Sequence, residues 1–310
     1  MTLPPYPSGW YAVGLSRELA HGRVLTRPFM GGEIVFYRTR SGVARCVAPY
    51  CAHLGAHMGH GGTVDGELLV CPFHHFAYDI DGVCVRTGYG TKPPPTARLS
   101  HGELRETNGL LLVWHGATKP SWGVPSLEED GWSGVRCRTF VLRDHPQETT
   151  ENSVDLGHFA IVHGYRDVQE LQDAVADGPY LSTAYTAVQP PGLRFEFDTQ
   201  IFGLGYSLVN VRVPRFGVDA RLWVLPTPID EERLTLRLAA STRGRACALL
   251  NPLILRGFAR SASQDFPIWE NKRYVERPAL ADGDGPIALY RRWARQFYEP
   301  SLIEVPAAAS

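Results

Sequence analysis

Residues 51 to 60, CAHLGAHMGH, contain one cysteine and three histidines. Cys51 and His53 form a Cys-x-His pair, and further on Cys71 and His74 form a Cys-x-x-His pair in CPFHHF. Each half offers one thiolate and one imidazole. Two such halves on adjacent β-hairpin loops could hold zinc as Cys₂His₂, or a [2Fe–2S] cluster in which two histidines replace two cysteines on one iron. Spacing alone does not separate the two. His57, His60 and His75 fall outside the ligand spacing and read as loop histidines beside the site. Cys46, Cys84, Cys137 and Cys247 read as small buried residues rather than ligands.

A second constellation lies at 151–163, ENSVDLGHFAIVH, with Asn152, Asp155, His158 and His163. A helix is predicted around 148–163. On it Asp155 and His158 are i, i+3 neighbours, so the carboxylate can reach the imidazole. His163 stands five residues past His158, which an undistorted helix does not place on the same face. The helix must bend or end there if both histidines bind one metal.

The rest of the chain has to position these groups. Its 310 residues, 44% hydrophobic and 20% charged, suffice for two ordinary domains with their own cores. Lys and Arg (31) almost balance Asp and Glu (32), so no global field recruits nucleic acid, and a small molecule or another protein is the expected partner. No apolar run approaches the roughly 18 residues needed to span a bilayer. The best, CALLNPLIL, is broken by Asn251 and Pro252. MTLPPYPSGW has neither a basic start nor an apolar stretch, so a cytoplasmic protein with thiols or metal-bound cysteines is expected.

Short β-like runs punctuated by glycine fill the first third: RVLTRPF, EIVFYRT, ELLVC, GVCVRTG and GLLLVWHG. TKPPPTARL is too rich in proline for anything but an extended loop. ATKPSWGVPSLEEDGWSG carries no periodicity and reads as a linker. An all-β first domain is therefore expected over 1–118. The second, 119–310, has alternating strands in LRFEFDTQIF, YSLVNVRV, ARLWVLPT and RLTLRLAAS, then helical segments, which predicts an α+β domain with an antiparallel sheet flanked by helices.

Context now weighs on the first motif. Zinc fingers pair Cys with Cys and His with His and follow with a helix. Here the pairs are mixed, glycine-rich loops surround them and strands follow. CAHLGAHMGHGG and CPFHHFAYDIDG resemble the cluster-binding loops of Rieske proteins. Respiratory Rieske proteins add a disulfide between the loops, but Ala56 and Phe73 occupy those positions, so the resemblance is to the oxygenase and ferredoxin branch. The usual tryptophan two residues after the second histidine is Phe76, a change expected to affect only packing around the cluster.

An electron-transfer Rieske protein would leave the second domain without a task. Asp-x-x-His-x-x-x-x-His following a Rieske domain resembles the Rieske non-haem iron oxygenases, over essentially the whole chain. That resemblance implies a mononuclear Fe(II) held by His158, His163 and one carboxylate, with positions left open for O₂. Asp198, Asp219 and Asp265 are the candidates, and Asp265 is chosen because SASQDFPIWENKRY resembles the late segment from which the family donates its aspartate. Asn152-x-x-Asp155, QDFPIWENKRY and GPIALYRRWARQFY resemble the branch of 3-ketosteroid 9α-hydroxylases and cholesterol 7-desaturases. The transmembrane anchor of the animal desaturases is not expected in this chain.

The resemblance further implies a terminal oxygenase, more a monooxygenase than a dioxygenase, fed by a separate NAD(P)H-dependent reductase or ferredoxin. No G-x-G-x-x-G opening a βαβ unit is present for nicotinamide. The implied substrate is a hydrophobic small molecule, a sterol or steroid before a small aromatic acid or ether, to be hydroxylated, desaturated or demethylated. Phe195, Phe197, Phe202, Leu204 and Tyr206 are candidates for the pocket wall. Lys272, Arg273, Arg277, Arg291, Arg292 and Arg295 read as a solvated face, with docking of an acidic electron donor as the alternative. A head-to-tail homotrimer is implied as well, in which Asp155 would link His158 to His74 of the partner subunit. The alternative of another class is a Rieske electron carrier whose second domain only binds a partner.

Overall fold

The computed structural model describes residues 3–244 and 247–298; the side chains of Cys247 and Ala248 lie outside what it describes. The first third forms β1 Gly9–Leu15, β2 Val24–Phe29, β3 Gly32–Arg38, β4 Ala44–Val47, β5 Thr63–Asp65, β6 Leu68–Val70, β7 Ala77–Tyr78, β8 Cys84–Arg86, β9 Leu104–Thr107 and β10 Leu110–His115. They pair antiparallel into three small sheets, ordered β1-β10-β9, β2-β3-β4 and β5-β6-β7-β8. All five runs expected as strands are strands, and TKPPPTARL forms none. The strand β1, which alternation does not reveal, is buried at every position and so shows none.

The second part forms β11 Arg136–Leu142, α1 Pro146–Glu151, α2 Gly157–Ile161, β12 Arg166–Asp177, β13 Tyr180–Gln189, β14 Leu193–Phe202, β15 Tyr206–Val213, β16 Val218–Pro228, β17 Leu234–Arg243, α3 Cys247–Ala262, α4 Phe266–Trp269 and α5 Ile287–Ala294. One antiparallel sheet of seven strands, ordered β11-β17-β16-β15-β14-β13-β12, is its frame. Helix α3 lies on β17 and β11, burying Ala259 among Leu234, Leu236 and Leu238. An all-β unit followed by an α+β unit is the architecture. Among the described residues no helix is long and apolar enough to cross a membrane.

The single helix expected over 148–163 is corrected to two short ones. The chain leaves helical pairing after α1 because the Leu156 N–H turns away to the Asp284 carbonyl, at 3.2 Å. It restarts where Asp155 Oδ1 accepts the His158 N–H at 3.1 Å, satisfying a donor that the new helix cannot.

The linker is irregular and largely exposed, with Trp122 as its anchor. The Trp10 indole donates to the Trp122 carbonyl at 2.9 Å, and Trp122 meets Trp114, Tyr180 and Phe297 edge-on. One core joins β1 and β10 to the large sheet through Trp10, Ala12 and Leu112 against Phe202, Tyr206 and Trp223. A bulge in β1 between Ala12 and Gly14 leaves carbonyls without ladder partners. Buried Arg237 donates to Ala12 and Val13, each at 2.9 Å, and Thr227 donates to Ala12 at 2.8 Å. Burial lowers the Arg237 pKa to about 10. Arg237→Met leaves these carbonyls short of donors, so we expect a loss of about 3 kcal/mol in urea unfolding. An unchanged midpoint would show that the bulge does not tie the two units together.

Candidate functional site

Cys51 and His53 sit on the loop between β4 and β5, and Cys71 and His74 on the loop between β6 and β7. Each loop is closed by backbone bonds, Cys51 N–H to Ala56 and Cys71 N–H to Phe76, both 2.9 Å. The loops bring the two histidines together and set Cys71 beside Cys51. Both cysteines are buried, and the His53 and His74 rings lie 4.8 Å apart. His53 stacks on Phe76 at 4.2 Å, so phenylalanine supplies the aromatic platform here.

Two observations test whether a cluster suits this set. His74 Nδ1 is buried with no hydrogen-bond partner, which leaves its lone pair free. Burial, with Cys51 alongside, pushes the Cys71 thiol up, a conflict that a metal resolves by taking both sulfurs as thiolates. Gly88 closes over the site; a Cβ there would collide with the His74 carbonyl. The Tyr78 hydroxyl lies 3.0 Å from Cys51 Sγ, and its own pKa is pushed up by burial and by Cys51. A hydroxyl donated to a ligand sulfur favours the reduced cluster. Tyr78→Phe should therefore lower the midpoint potential by about 50 mV, since 59 mV is a tenfold change for one electron. Protein-film voltammetry of both forms checks it, and equal potentials would remove Tyr78 from this role.

The second set forms where α2 meets the end of α3. His158 Nδ1 bonds the Asp155 carbonyl at 2.5 Å, and His163 Nδ1 bonds Gln264 Oε1 at 2.9 Å. With Nδ1 donating, each ring keeps Nε2 as its free lone pair. Ligand atoms of His158, His163 and Asp265 all lie within 4.8 Å of one another. His163 Nε2 is 3.5 Å from Asp265 Oδ2.

Asp265 is 5% exposed, and His163 is its ion-pair partner among the described residues. Burial raises its pKa, against the opposing charges of His163 and His158. A buried carboxylate facing two imidazole lone pairs is a set that a divalent cation completes. Asp155 stands behind it, 3.8 Å from His158 Nδ1. Burial opposes its ionisation, but the hydrogen bonds and charge of His158 prevail and hold its carboxyl below the usual range. The Asn152 side chain accepts from the Trp269 indole at 3.3 Å.

A cavity of about 340 Å³ opens beside these three residues. Its sheet wall includes Tyr185, Phe195, Phe197 and Val211, and Ile254 and Phe258 of α3 face them. Phe159 lies 4.7 Å from Tyr185 and 4.2 Å from His158, bridging wall and metal set. No Lys or Arg lines it among the described residues. Of the five expected wall residues only Phe195 and Phe197 take part. Phe202 and Tyr206, paired across β14 and β15, point to the opposite face and pack with Trp10, and Leu204 joins the core around Tyr290.

Asp198 bonds Asn210, and Asp219 pairs with Arg212, so neither joins the metal set. The basic segment is not uniformly free: Lys272 pairs with Glu148 at 2.7 Å, and Arg291 grips Glu151 at 2.6 and 2.8 Å. His57 bonds Glu33 and stays outside the cluster set. Gln264, Phe159 and Tyr78 carry no signal of their own in the sequence, apart from the adjacency of Gln264 to Asp265.

Comparison with known proteins gives the family. Residues 9–110 match the Rieske [2Fe-2S] domain, and residues 113–298 match the 3-ketosteroid 9alpha-hydroxylase C-terminal domain. Cholesterol 7-desaturase of Bombyx mori is 30% identical over 95% of this chain and 70% of its own. A probable 3-ketosteroid-9-alpha-monooxygenase, oxygenase component, of Rhodococcus rhodochrous is 28% identical over 95% of this chain and 81% of its own. Dicamba monooxygenase bound to dicamba shares the fold, with a TM-score of 0.78 at 18% identity over 93% of this chain and 96% of that one. One match spans the cluster loops and the other spans both histidines, Asp265 and the cavity, and the chain belongs to the Rieske non-haem iron oxygenases of the 3-ketosteroid 9α-hydroxylase family, iron-dependent oxygenase components that carry a [2Fe–2S] cluster and a mononuclear iron.

Proposed function

We propose that this enzyme oxidises a neutral, elongated apolar substrate of the sterol or steroid class. The observation that carries the reading is the cavity beside His158, His163 and Asp265, which is walled by aromatic and aliphatic side chains and has no cationic residue among those described. An aromatic acid would bring a carboxylate into that wall with no Lys or Arg to pair it, only neutral donors such as Asn152, Gln189 and Ser261, so its desolvation would be poorly offset. Along β16 the lining runs from Val218 to Val224, seven residues whose six steps span about 20 Å of strand. Such a slot suits a rigid polycycle.

In this reading Cys51, His53, Cys71 and His74 hold the cluster, and His158, His163 and Asp265 hold the iron. When bound, that iron supplies O₂ activation at a substrate C–H bond. The protein does the rest. Asp155 fixes the His158 ring through its carbonyl, and Gln264 fixes His163. Phe159 and Tyr185 turn the substrate toward the open side of the set and keep water off it. The oxygenase works with a separate reductase, and we infer that this is an NAD(P)H-dependent flavoprotein or a ferredoxin. We place the chain in the cytoplasm, on its free cysteines. We divide it into a Rieske unit, 1–118, and a catalytic unit, 119–310, since no described strand before residue 118 belongs to the seven-stranded sheet.

We further infer a head-to-tail homotrimer in which Asp155 reaches His74 of the partner subunit. The Asp155 side chain is 34% exposed despite its bond to His158, which leaves an oxygen for a second imidazole. The substrate reading is tested by turnover of a panel of steroids and aromatic acids under ¹⁸O₂, with products analysed by mass spectrometry. A steroid product carrying one ¹⁸O is expected. Turnover of the acids with the steroids untouched would overturn the steroid reading.

A further inference from the structure

We propose that Asp144 and Thr149 form a proton relay into the metal end of the cavity, delivering from solvent the protons that oxygen reduction consumes. Placing one atom of O₂ in a C–H bond and releasing the other as water takes up two electrons and two protons. The reductase supplies the electrons. The protons need a path of their own, because a substrate that fills the cavity keeps bulk water out of it.

The lining itself holds no free acid. Its titratable residues are His158, His163 and Asp265, which form the metal set, and Tyr165 and Tyr185, whose hydroxyls burial pushes up. Asp155, behind His158, is held below the usual carboxylate range and has no proton to give at neutral pH. A donor must therefore stand behind the wall and act through a hydroxyl.

Thr149 and Asp144 have that arrangement. Thr149 on α1 and Asn152 at its C-terminal end are i, i+3 neighbours, and both line the cavity together with Asp265 and Trp269. Asn152 bonds the Trp269 indole and lies beside Asp265, so Thr149 stands one helical turn from the metal set's own surroundings. Behind the wall, the Thr149 hydroxyl donates to Asp144 Oδ2 at 2.5 Å and lies 3.5 Å from the His145 carbonyl. Asp144 itself keeps part of its surface open to solvent. Solvent, carboxyl, hydroxyl and cavity thus follow one another.

The groups facing Asp144 let it hold a proton. Lys272 bonds Glu148 at 2.7 Å, and the other Glu148 oxygen is buried without a hydrogen bond, so the lysine is engaged and a negative charge stands nearby. His145 is neutral: its Nδ1 accepts from the Gln147 N–H at 3.1 Å, its Nε2 donates to the Pro4 carbonyl at 3.0 Å, and burial lowers its pKa. Burial then raises the Asp144 pKa to about 7, against the hydrogen bonds of Thr149 and the His145 N–H and the charge of Lys272. Such a carboxyl gains and loses its proton readily near neutrality. Protonated, it donates to Thr149 Oγ1 while that hydroxyl passes its own proton into the cavity. Solvent returns the proton to Asp144, and two passages complete one turnover.

The relay rests on the metal set placed at His158, His163 and Asp265, and its test keeps the two apart. Full-length holoenzyme is compared with Asp144→Asn, Thr149→Val and Thr149→Ser, with iron counted in each. Infrared titration of wild type should show a carboxylic C=O band that fades as pH rises through about 7 and is missing from Asp144→Asn. Wild-type turnover at saturating substrate should fall over the same range, since only the protonated carboxyl donates. Asp144→Asn and Thr149→Val should keep their iron, lose about 100-fold in turnover and lose that pH dependence, and Thr149→Ser should retain both rate and profile. Normal turnover in Asp144→Asn or Thr149→Val overturns the relay, as does an infrared titration that finds Asp144 already ionised at about pH 6. Loss of iron from Asp144→Asn also overturns it, by making the aspartate a support of the metal set. Failure of the metal reading looks different: Asp265→Ala would keep its iron and turnover, whatever the Asp144 variants do.

Discussion

His158→Ala, His163→Ala and Asp265→Ala are each expected to abolish turnover while the reddish Rieske absorption and its paramagnetic signal persist. Each removes one of three groups whose ligand atoms converge within 4.8 Å. Removing even an outer-shell partner of a metal ligand costs about 10–100-fold, so losing a ligand should exceed about 100-fold. The cluster should survive because its four residues come from β-loops of a different sheet. Gln264→Leu is the graded companion: His163 stays but its Nδ1 partner goes, so a loss of about 10–100-fold is expected. Metal analysis read alongside turnover checks the series. Full iron and full activity in Asp265→Ala would transfer the third-ligand role to another carboxylate.

Asp155→Asn should load both metals and still turn over about 10–100-fold more slowly. The amide keeps the backbone carbonyl that holds His158 Nδ1 and an oxygen for the His158 N–H, so the local fold survives. What disappears is the carboxylate charge beside His158. In a rapid-mix experiment the cluster should stay reduced when substrate and O₂ are added. Wild-type reoxidation would make Asp155 a helix-start residue only. Co-expression gives the oligomer its own test. Chains with a disabled cluster, Cys71→Ser, and chains with a disabled iron site, Asp265→Ala, are each inactive. Mixed trimers should regain measurable turnover, because an intact cluster then faces an intact iron site across some interfaces. No recovery despite confirmed mixing would reject electron transfer between subunits.

How far the amino-acid sequence reveals each feature follows from what that feature depends on. Cys51, His53, Cys71 and His74, the proposed cluster ligands, stand out because metal bonds restrict residue type and spacing within short loops. His158 and His163 are also visible, and so is the need for a break in the helix, although its place, Asn152 to Leu156, depends on the Asp284 carbonyl far along the chain. Asp265 is a different case. Spacing cannot choose it over Asp198 or Asp219, and family resemblance does. Strands β14 to β17 alternate in sequence, and β17 does so although it is buried on both faces, because Arg237 and Ser241 on one of them bond backbone carbonyls. Strand β1 lacks it, being buried on both faces, and β12 lacks it as an edge strand exposed along most of its length. Phe197 and Phe202 look equivalent in sequence; only strand parity, five residues apart, sends them to opposite faces.

The central claim is that this chain carries a second metal beside an apolar cavity, and that it does not merely relay electrons. Iron per chain, measured by plasma mass spectrometry on protein whose cluster content is counted independently by paramagnetic resonance, tests it most directly. About three irons per chain are expected, two in the cluster and one released selectively by Asp265→Ala. A value of about two in fully clustered, folded protein, unchanged by Asp265→Ala, would contradict the account and leave a Rieske electron carrier.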